Sequence, residues 1–361
     1  MSLASTPRAI VSLALAAAFV AACGSGGATP PPSAVASASV EPSASGSPVI
    51  QPSLGLPPTQ LTVGLGYIPS VQFAQFYLAD QAGYYREAGL EVTFQNQIDP
   101  DLITLVGQGA IDVGIADGTS MIPAVSQGIP VRYVATVYGR FPSIVFGKAS
   151  SGVTTAADLA GKRLGIPGRY GSSWIMLQAL LASAGLTPED LEIVEYPDFG
   201  QGAAVTADAV DVATGFANNE PVQLALTGEA VTILRVDDIT PLPGPGLIAG
   251  VSTLETKHDA VAAFVAATLR AMEDITADPE LGLEAAIVAV PELASARETQ
   301  AAILDATIES WSGPRQDALG LGALDADAWH VSIEYLESLG LVPNPIVAED
   351  VIRFDLQEMG G

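Results

Sequence analysis

Short hydrophobic runs along most of the chain alternate with longer segments in which apolar residues recur at helical spacing. Short apolar runs are typical of buried strands, and apolar residues three and four apart are typical of amphipathic helices. Alternating strands and helices predict a parallel sheet with crossover helices. The first such stretch comprises a strand over 61–65, a loop over 66–70, a helix over 71–82, a strand over 91–94, a helix over 99–106, a strand over 110–115 and a polar loop over 117–120.

The same order of elements recurs at an offset of about 100 residues. Two copies of such a unit predict an α/β protein with two lobes, each a mostly parallel sheet flanked by helices. Ligands of open α/β sheets bind outside the carboxyl ends of the strands, so four loops are expected around one cleft. The alternative is that the two copies look alike without facing each other. The second copy comprises a strand over 162–166, a loop over 167–173, a helix over 174–183, a strand over 191–194, a helix over 201–206, a strand over 209–214 and a loop over 218–221.

The two ends of the chain carry different patterns. Residues 1–22 hold an uncharged apolar run that is typical of a secretory signal peptide and short for a membrane span. Small residues stand directly before the only cysteine of the chain, which predicts lipidation at Cys23; the alternative is an ordinary secretory signal. Residues 23–58 are rich in Ser, Pro and Ala and predict a disordered tether. Amphipathic helices over 259–275, 299–311 and 325–339 are expected to pack on the first lobe.

The charge balance is strongly acidic, with 14 Lys and Arg residues against 40 Asp and Glu residues. Because no basic stripe is present in the sequence, nucleic acid is a poor partner. Beyond the signal peptide, no run approaches 18 uncharged apolar residues, so we predict no membrane-spanning helix in the mature chain.

The reactive side chains do not favour an enzyme. The only two histidines, His258 and His330, lie in predicted helices far from the loops of the cleft. One cysteine and two such histidines offer few ligands for a transition metal and a poor partner for a Ser/His/Asp triad. Residues 161–163 do not complete a P-loop, and residues 64–66 are half of a dinucleotide-binding fingerprint. We therefore predict no catalytic residue, no metal and no cofactor.

The loops of the cleft instead concentrate side chains suited to recognition. Aromatic residues there predict stacking on a planar ring, with ordinary core packing as the alternative. Asp117 and Glu220 occupy matching loops and can accept N–H donors; the alternatives are a helix N-cap and a solvated first-turn acid. The backbone amides of residues 168–173 could bind an anion, and Arg140 and Arg169 lie nearby. An anionic ligand is therefore an alternative. The candidate ligand-binding residues in or beside these loops are Tyr67, Gln72, Phe73, Asp117, Gly118, Thr119, Ser120, Tyr138, Arg140, Tyr170, Ser172, Ser173, Trp174, Asn218, Asn219 and Glu220.

An ordered set of segments carries a resemblance to a known family. Over roughly residues 61–341, the sequence resembles the periplasmic binding proteins of nitrate, sulfonate, taurine and thiamine-pyrimidine ABC importers. Asn219–Glu220–Pro221 favours the branch whose ligands are aminopyrimidine thiamine precursors, or a related riboflavin branch. The segments are QFAQFYLADQAGYYREAGLEV (72–92), LVGQGAIDVGIADGTS (105–120), QGIPV (127–131) and GFANNEPVQL (215–224), followed by PLPGPGLIA (241–249).

The resemblance implies a two-lobed type II periplasmic binding protein fold with two hinge crossings, which we place near residues 143–146 and 246–249. It also implies a ring-stacking aromatic in the first loop, a place that Tyr67 holds. Gln72 and Phe73 stand beside it, where thiamine-pyrimidine members often have Trp, Asn and His. With these crossings, lobe 1 comprises residues 59–145 and 247–361, and lobe 2 comprises residues 146–246.

We therefore expect a monomeric, extracytoplasmic solute-binding protein of an ABC importer, anchored through Cys23 at the outer face of the cytoplasmic membrane. Its expected partners are a small solute, an ABC permease and the ATPase of that permease. The expected solute is an aminopyrimidine thiamine precursor or a riboflavin-like heterocycle, held between Tyr67 and Trp174. The alternatives are a small oxyanion such as a sulfonate or nitrate, a sensor or interaction lipoprotein, and a pyrimidine-forming enzyme. The related enzyme branch uses an active-site His and a Cys-rich motif that this sequence lacks.

Overall fold

The computed structural model of the chain describes residues 57–96 and 101–356. The predicted signal peptide, Cys23 and nearly all of the predicted tether lie outside the described residues. Among the described residues, ten strands form two five-stranded sheets. The strands are β1 (Thr59–Gly64), β2 (Leu90–Gln95), β3 (Val113–Ala116), β4 (Val131–Thr136), β5 (Ser143–Lys148), β6 (Arg163–Ile166), β7 (Glu192–Glu195), β8 (Val212–Phe216), β9 (Val231–Arg235) and β10 (Gly246–Gly250).

The two sheets share one topology. The first sheet has the order β2-β1-β3-β10-β4 and the second has the order β7-β6-β8-β5-β9. Strand β1 pairs in parallel with β2 and β3, and β6 pairs in parallel with β7 and β8. One strand in each sheet, β10 or β5, is antiparallel to both of its neighbours. The prediction of an α/β fold with two mostly parallel sheets is confirmed. We call the parts of the chain built on these sheets the first lobe and the second lobe.

The chain changes sheet twice, between β4 and β5 and between β9 and β10. The residues at which we expected hinges belong to strands: 143–146 lie in β5 of the second sheet, and 246–249 lie in β10 of the first sheet. The connecting segments are therefore 137–142 and 236–245. They are hydrogen-bonded to each other, since the amides of Val137 and Tyr138 donate to the Pro245 carbonyl at 3.1 and 2.8 Å.

Helices cover the faces of both sheets. The predicted helix over 71–82 begins with a 3₁₀ turn over Val71–Phe73, where the Ser70 side chain accepts a hydrogen bond from the Gln72 amide. The longest helix, α8, bends at Lys257, whose φ and ψ are not helical. The helices are α1 (Ala74–Gln81), α2 (Tyr84–Glu87), α3 (Leu102–Gly107), α4 (Gly118–Ser126), α5 (Gly171–Ser183), α6 (Gln201–Thr206), α7 (Glu220–Leu226), α8 (Val251–Ala277), α9 (Pro279–Ala289), α10 (Arg297–Trp311), α11 (Pro314–Leu319), α12 (Ala326–Ser338) and α13 (Ala348–Val351).

Both copies of the repeat have an Asp-Val dipeptide at the start of the third strand, and its carboxylate holds that strand in place. Asp112 Oδ2 accepts a hydrogen bond from the Thr62 amide at 2.9 Å, and Asp211 Oδ2 accepts one from the Arg163 amide, also at 2.9 Å. Asp112 also pairs with Lys257 Nζ at 2.8 Å, and Asp211 pairs with the Arg163 guanidinium at 2.7 Å. The two lobes thus fix the start of the third strand against the first strand in the same way.

The helices after β10 complete the first lobe but also reach the second. Phe264 of α8 is fully buried and stacks on Tyr85 and Phe76 beside the first sheet, with ring centroids 5.0 and 6.2 Å away. From α12, the Tyr335 hydroxyl donates to the Ala179 carbonyl of α5 at 3.4 Å. The expectation that these helices pack on the first lobe therefore describes only part of their contacts. In the described part of the chain, no helix is long and apolar enough to cross a membrane.

Candidate functional site

A cavity of about 260 Å³ lies between the lobes, where the loops after β1, β3, β6 and β8 meet. This is the edge at which ligands of open α/β sheets bind. Its wall takes residues from both lobes and from the segments that connect them. The residues that line it are Leu65, Gly66, Tyr67, Gln72, Phe73, Gln75, Leu102, Ile103, Ile115, Ala116, Asp117, Ser120, Val137, Tyr138, Pro167, Tyr170, Gly171, Ser172, Ser173, Phe199, Gln201, Gly215, Phe216, Asn219, Glu220 and Pro245.

Two aromatic rings meet across the cleft. Tyr67, from the loop after β1, packs edge-on against Phe199, from the loop after β7, with ring centroids 5.0 Å apart and planes at 76°. Burial, followed by the negative charge of Glu220, raises the pKa of the Tyr67 phenol. Phe199 has a φ of 60°, in the left-handed region that costs energy for a residue with a side chain. An aromatic contact therefore closes one end of the cavity.

Asp117 caps helix α4 from inside the cavity. Its Oδ1 accepts hydrogen bonds from the Thr119 hydroxyl at 2.5 Å and the Ser120 amide at 3.1 Å. Only 6% of the residue is exposed, and burial raises the pKa of the carboxyl, while these donors and the Ser172 hydroxyl lower it. Because Ser172 belongs to the second lobe, this carboxylate also links the two lobes. Both interpretations of Asp117, an N-cap and a cavity residue, therefore describe its position.

Glu220 occupies the matching place in the second lobe, in the first turn of α7. It is half-buried, and its Oε2 accepts a hydrogen bond from the Phe216 amide at 2.9 Å. Burial raises the pKa of this carboxyl, and the backbone donors lower it. A Cβ on Gly215 would stand 2.8 Å from Oε2, so a glycine at that position makes room for the carboxylate. Glu220 is thus held in the cavity wall and is not a solvated surface acid.

Asn218 joins the lobes behind the cavity wall. Its Nδ2 lies 3.0 Å from Gln72 Oε1, 2.9 Å from Thr307 Oγ1 and 3.3 Å from the Tyr138 hydroxyl. Only 1% of Asn218 is exposed, and it comes from the second lobe, whereas Gln72 and Thr307 belong to the first. The loops of the two lobes are therefore in contact, as in a closed cleft.

Two buried glutamines of the cavity wall have unused acceptors. Gln75 on α1 and Gln201 on α6 are each 1% exposed, and neither Oε1 atom has a hydrogen-bond partner. The Gln201 amide is oriented by its Nε2, which donates to the Thr214 carbonyl at 3.3 Å. Buried polar atoms in native proteins are nearly always paired, and exceptions concentrate at functional sites.

Five of the predicted site residues do not line the cavity. Trp174 points away on α5, where the Arg169 guanidinium lies 5.2 Å from its ring centroid, so the expected sandwich of Tyr67 and Trp174 does not form; Phe199 takes that place. Arg140 is exposed outside the wall. Gly118, Thr119 and Asn218 are buried behind it. The predicted residues that do line it are Tyr67, Gln72, Phe73, Asp117, Ser120, Tyr138, Tyr170, Ser172, Ser173, Asn219 and Glu220.

Phe199, Gln75 and Gln201 were missing from the sequence-based selection of site residues. Phe199 and Gln201 follow β7, the second strand of the second copy, and only loops after first and third strands were considered. All carboxyl ends of parallel strands meet at one edge, so that loop carried a usable signal. Gln75 lies one turn into the helical segment after β1, and no feature of its spacing separates it from core residues.

The charged side chains among the described residues of the cavity wall are all acidic. No Lys, Arg or His is among the described residues that line the cavity, while two carboxylates are. The cation nearest by sequence, Arg169, is exposed and pairs with Glu195 at 3.2 Å. No group of three or more His, Cys, Asp or Glu side chains in the described ranges could hold a metal ion.

The chain matches the model of the family described as NMT1/THI5 like over residues 70–281. It is also 33% identical over 309 residues to the riboflavin-binding protein RibY of Chloroflexus aurantiacus, covering 84% of this chain and 87% of that relative. The chain belongs to the NMT1/THI5-like family. The resemblance to periplasmic binding proteins that the sequence segments indicated is confirmed.

Other relatives of the chain are named as binding proteins or as synthases. A formylaminopyrimidine-binding protein of Halalkalibacterium halodurans is 27% identical over 297 residues, covering 80% of this chain and 88% of that one. A 4-amino-5-hydroxymethyl-2-methylpyrimidine phosphate synthase of Legionella pneumophila is 28% identical over 242 residues, covering 65% and 75%.

Among solved structures, the alkanesulfonate-binding protein SsuA of Xanthomonas axonopodis pv. citri, bound to MOPS, superposes with a TM-score of 0.65 at 18% identity. The match covers 83% of this chain and all of that one. At this identity the likeness concerns the fold, which is that of the periplasmic binding proteins.

Proposed function

We propose that this chain is the extracytoplasmic binding protein of an ABC importer and that its cavity takes a small planar heterocycle without negative charge. The observation that carries the proposal is the wall between the lobes, which combines aromatic and aliphatic side chains with hydrogen-bond acceptors and lacks a cation among its described residues. Such a wall suits a ring that carries N–H or NH2 donors. Relatives named as riboflavin-binding and formylaminopyrimidine-binding proteins support this solute class.

The alternative of a small oxyanion is disfavoured by charge. A sulfonate or nitrate in this cavity would stand beside Asp117 and Glu220 without a guanidinium or ammonium group in the described wall. Like charges at short range repel, most strongly where water is excluded. Ser172, Ser173 and backbone amides offer only neutral donors.

A pyrimidine-forming enzyme is also disfavoured. His258 lies 3.4 Å from Asp355 and His330 lies 3.7 Å from Glu349, and neither histidine lines the cavity. The carboxylates of the cavity accept hydrogen bonds from backbone amides, which fix their orientation. This is expected of groups that orient a bound molecule. We therefore assign binding without turnover, followed by delivery of the solute to a permease and its ATPase. Lipid anchoring through Cys23 at the outer face of the cytoplasmic membrane completes this proposal.

The test is to identify what the protein binds. We expect mass spectrometry of the purified full chain to detect a co-purifying heterocycle, and calorimetry to show saturable binding of riboflavin or 4-amino-5-hydroxymethyl-2-methylpyrimidine. Replacing Tyr67 by Leu should weaken that binding about tenfold or more, because a ring contact in the wall is lost. Replacing Tyr196, which is partly buried outside the wall, by Leu is the control. Saturable binding of ethanesulfonate or nitrate, with no heterocycle bound, would overturn the proposal.

A further inference from the structure

A second cavity of about 490 Å³ adjoins the first. It opens between α6 and α7 of the second lobe. Four residues form the wall between the two cavities and line both: Tyr67, Phe199, Asn219 and Glu220. The second cavity is thus a continuation of the binding site past the Tyr67–Phe199 contact.

The two cavities differ in chemistry. The first is lined mainly by aliphatic and aromatic side chains, including Phe73, Phe216 and Ile115. The second has small and hydroxylated or amide side chains, and no Lys, Arg or His is among its described lining residues. Besides the four shared residues, the second cavity is lined by Gly200, Gly202, Ala203, Thr206, Ala207, Gln223, Leu224 and Thr227.

The wall between the cavities is built from constrained residues. Gly202 lies under Glu220, and a Cβ there would stand 3.1 Å from Glu220 Cγ, so a side chain would press on the carboxylate. Gln223 Nε2 donates to Asn219 Oδ1 at 2.8 Å, which orients the Asn219 amide at the junction. Phe199, held at a φ of 60°, supplies the ring that separates the two spaces.

We propose that the second cavity is a subsite for a hydroxylated chain attached to the ring that occupies the first cavity. This inference rests on the proposed function and makes the ligand a two-part molecule, a planar heterocycle with a polyol tail. Hydroxyl groups both donate and accept hydrogen bonds, which suits the Thr206 and Thr227 hydroxyls and the Gln223 amide. A phosphorylated tail does not suit the site, because it would pass the Glu220 carboxylate without a cation in the described wall.

The test uses two flavins that share a ring and differ in the tail. Riboflavin carries a ribityl chain at the ring nitrogen where lumiflavin has only a methyl group. We expect riboflavin to bind the full chain about tenfold or more tightly than lumiflavin, since several tail hydroxyls then find partners. 4-Amino-5-hydroxymethyl-2-methylpyrimidine, a single ring without a polyol chain, is the third probe.

Variants then locate the tail. Ala203→Phe fills the second cavity from an exposed position of α6, and Thr227→Val removes a hydroxyl from its rim. Each should lower riboflavin affinity about tenfold and leave lumiflavin affinity within about twofold. Ala182→Phe on an exposed position of α5, outside both cavities, is the control and should change neither. Because the readout is a ratio within one variant, partial unfolding cannot imitate it.

Each outcome decides a separate point. Equal binding of the two flavins, or equal losses for both in Ala203→Phe, would overturn the second subsite while leaving the proposed function in place. Binding of the pyrimidine alone would do the same. Failure of all three probes together with binding of an oxyanion would overturn the proposed function, and the subsite with it.

Discussion

Glu220, which we propose to contact the ligand, is held in the cavity wall at a cost to stability. A carboxylate that is half-buried beside Tyr67 and Gly215 loses hydration, and backbone donors, among them the Phe216 amide, replace only part of it. The resulting rise in pKa means that the folded protein binds a proton at Glu220 more tightly than the unfolded chain does. The stability contributed by Glu220 is therefore present at low pH and is lost as the pH rises.

The direction of this pH dependence gives a prediction for Glu220→Gln. The ordinary pKa of a glutamate is 4.5, and the folded-state pKa of Glu220 lies above it. Below pH 4.5 the variant and the wild type should have similar free energies of unfolding. As the pH rises above this value, the ligand-free variant should become progressively more stable than the wild type, because it buries no charge. Thermal denaturation from pH 4 to pH 8 measures this difference.

The control for this pH series is Glu195→Gln, which changes an exposed carboxylate of the same lobe. It should not reproduce the growing advantage. A difference between Glu220→Gln and wild type that is constant across the series, or that shrinks with rising pH, would contradict the assignment of a raised pKa to Glu220.

Helix α10 follows the second lobe in the sequence, and its Thr307 side chain is hydrogen-bonded to that lobe. Thr307 Oγ1 lies 2.9 Å from Asn218 Nδ2 and donates to the Ile303 carbonyl at 2.7 Å. The same Asn218 amide contacts Gln72 and Tyr138, which line the cavity. The helix is thereby coupled to the residues that would surround a ligand.

We expect Thr307→Val, a change of nearly equal volume, to weaken this coupling. Removing the acceptor of a buried amide should cost about 1–2 kcal/mol of folding stability and lower ligand affinity several-fold, because the lobe contact contributes to the closed state. Calorimetry and chemical denaturation measure the two effects.

The matched control is Thr268→Val. Thr268 is equally buried, and its hydroxyl lies 2.9 Å from the Tyr85 hydroxyl within the first lobe. Thr268→Val should lower the free energy of unfolding by a comparable amount and leave the ligand affinity unchanged. If Thr307→Val and Thr268→Val affect binding equally, the contact of α10 has no role in closure.

The two segments that connect the lobes are in backbone contact at Gly244. A Cβ at this position would stand 2.3 Å from the Tyr138 carbonyl oxygen and 2.9 Å from that of Arg140. Since these neighbours are backbone atoms, the segments themselves would have to separate. The Tyr133 hydroxyl, which donates to the Gly244 carbonyl at 2.9 Å, would move with them.

Gly244→Ala should therefore destabilise the protein by about 1–3 kcal/mol, the usual cost of overpacking. A lowered Tm in scanning calorimetry checks this. Gly200→Ala is the control, because its Cβ would meet only the exposed side chain of Asp198. A Tm for Gly244→Ala that equals that of Gly200→Ala would show that the connecting segments accommodate the methyl group without strain.

At the scale of the whole molecule, the structure joins two lobes by two connecting segments and closes the cleft with contacts between loops. Tyr67 with Phe199 and Asp117 with Ser172 each pair one residue from either lobe. Such contacts can form and break by hinge motion without unfolding either sheet, as in other two-lobed binding proteins.

We expect ligand to shift the protein toward this closed state. Spin labels at Ile68→Cys and Asp198→Cys, exposed neighbours of Tyr67 and Phe199 at the cleft mouth, should report a shorter distance at saturation with riboflavin or the co-purifying heterocycle. Cys23, the only native cysteine, is replaced by Ser for this measurement.

Labels at positions 68 and 91, both in the first lobe, are the control and should keep their distance. An unchanged distance between positions 68 and 198 at saturating ligand would rule out closure as the consequence of binding.

The sequence alone determined the repeat, most elements of the two α/β units and their carboxyl-end loops, because the spacing of apolar residues is a local property. The short helix predicted near residues 201–206 is present as Gln201–Thr206. Strands β5 and β10 were taken for hinges, since an antiparallel strand that crosses from the other lobe leaves no local mark of its sheet. The position of Asp117 and Glu220 in matching loops also followed from the repeat.

Only the tertiary structure decided which side chains meet. Tyr67 faces Phe199 and not Trp174, because α5 packs Trp174 against the core of the second lobe, with Arg169 over its ring. The unpaired acceptors of Gln75 and Gln201 depend on how their surroundings pack, and the second cavity takes Tyr67 of the first lobe into a wall that is otherwise built by the second lobe. Strand and helix identity is set by neighbours along the chain, whereas burial, hydrogen-bond partners and cavity shape are set by neighbours across it.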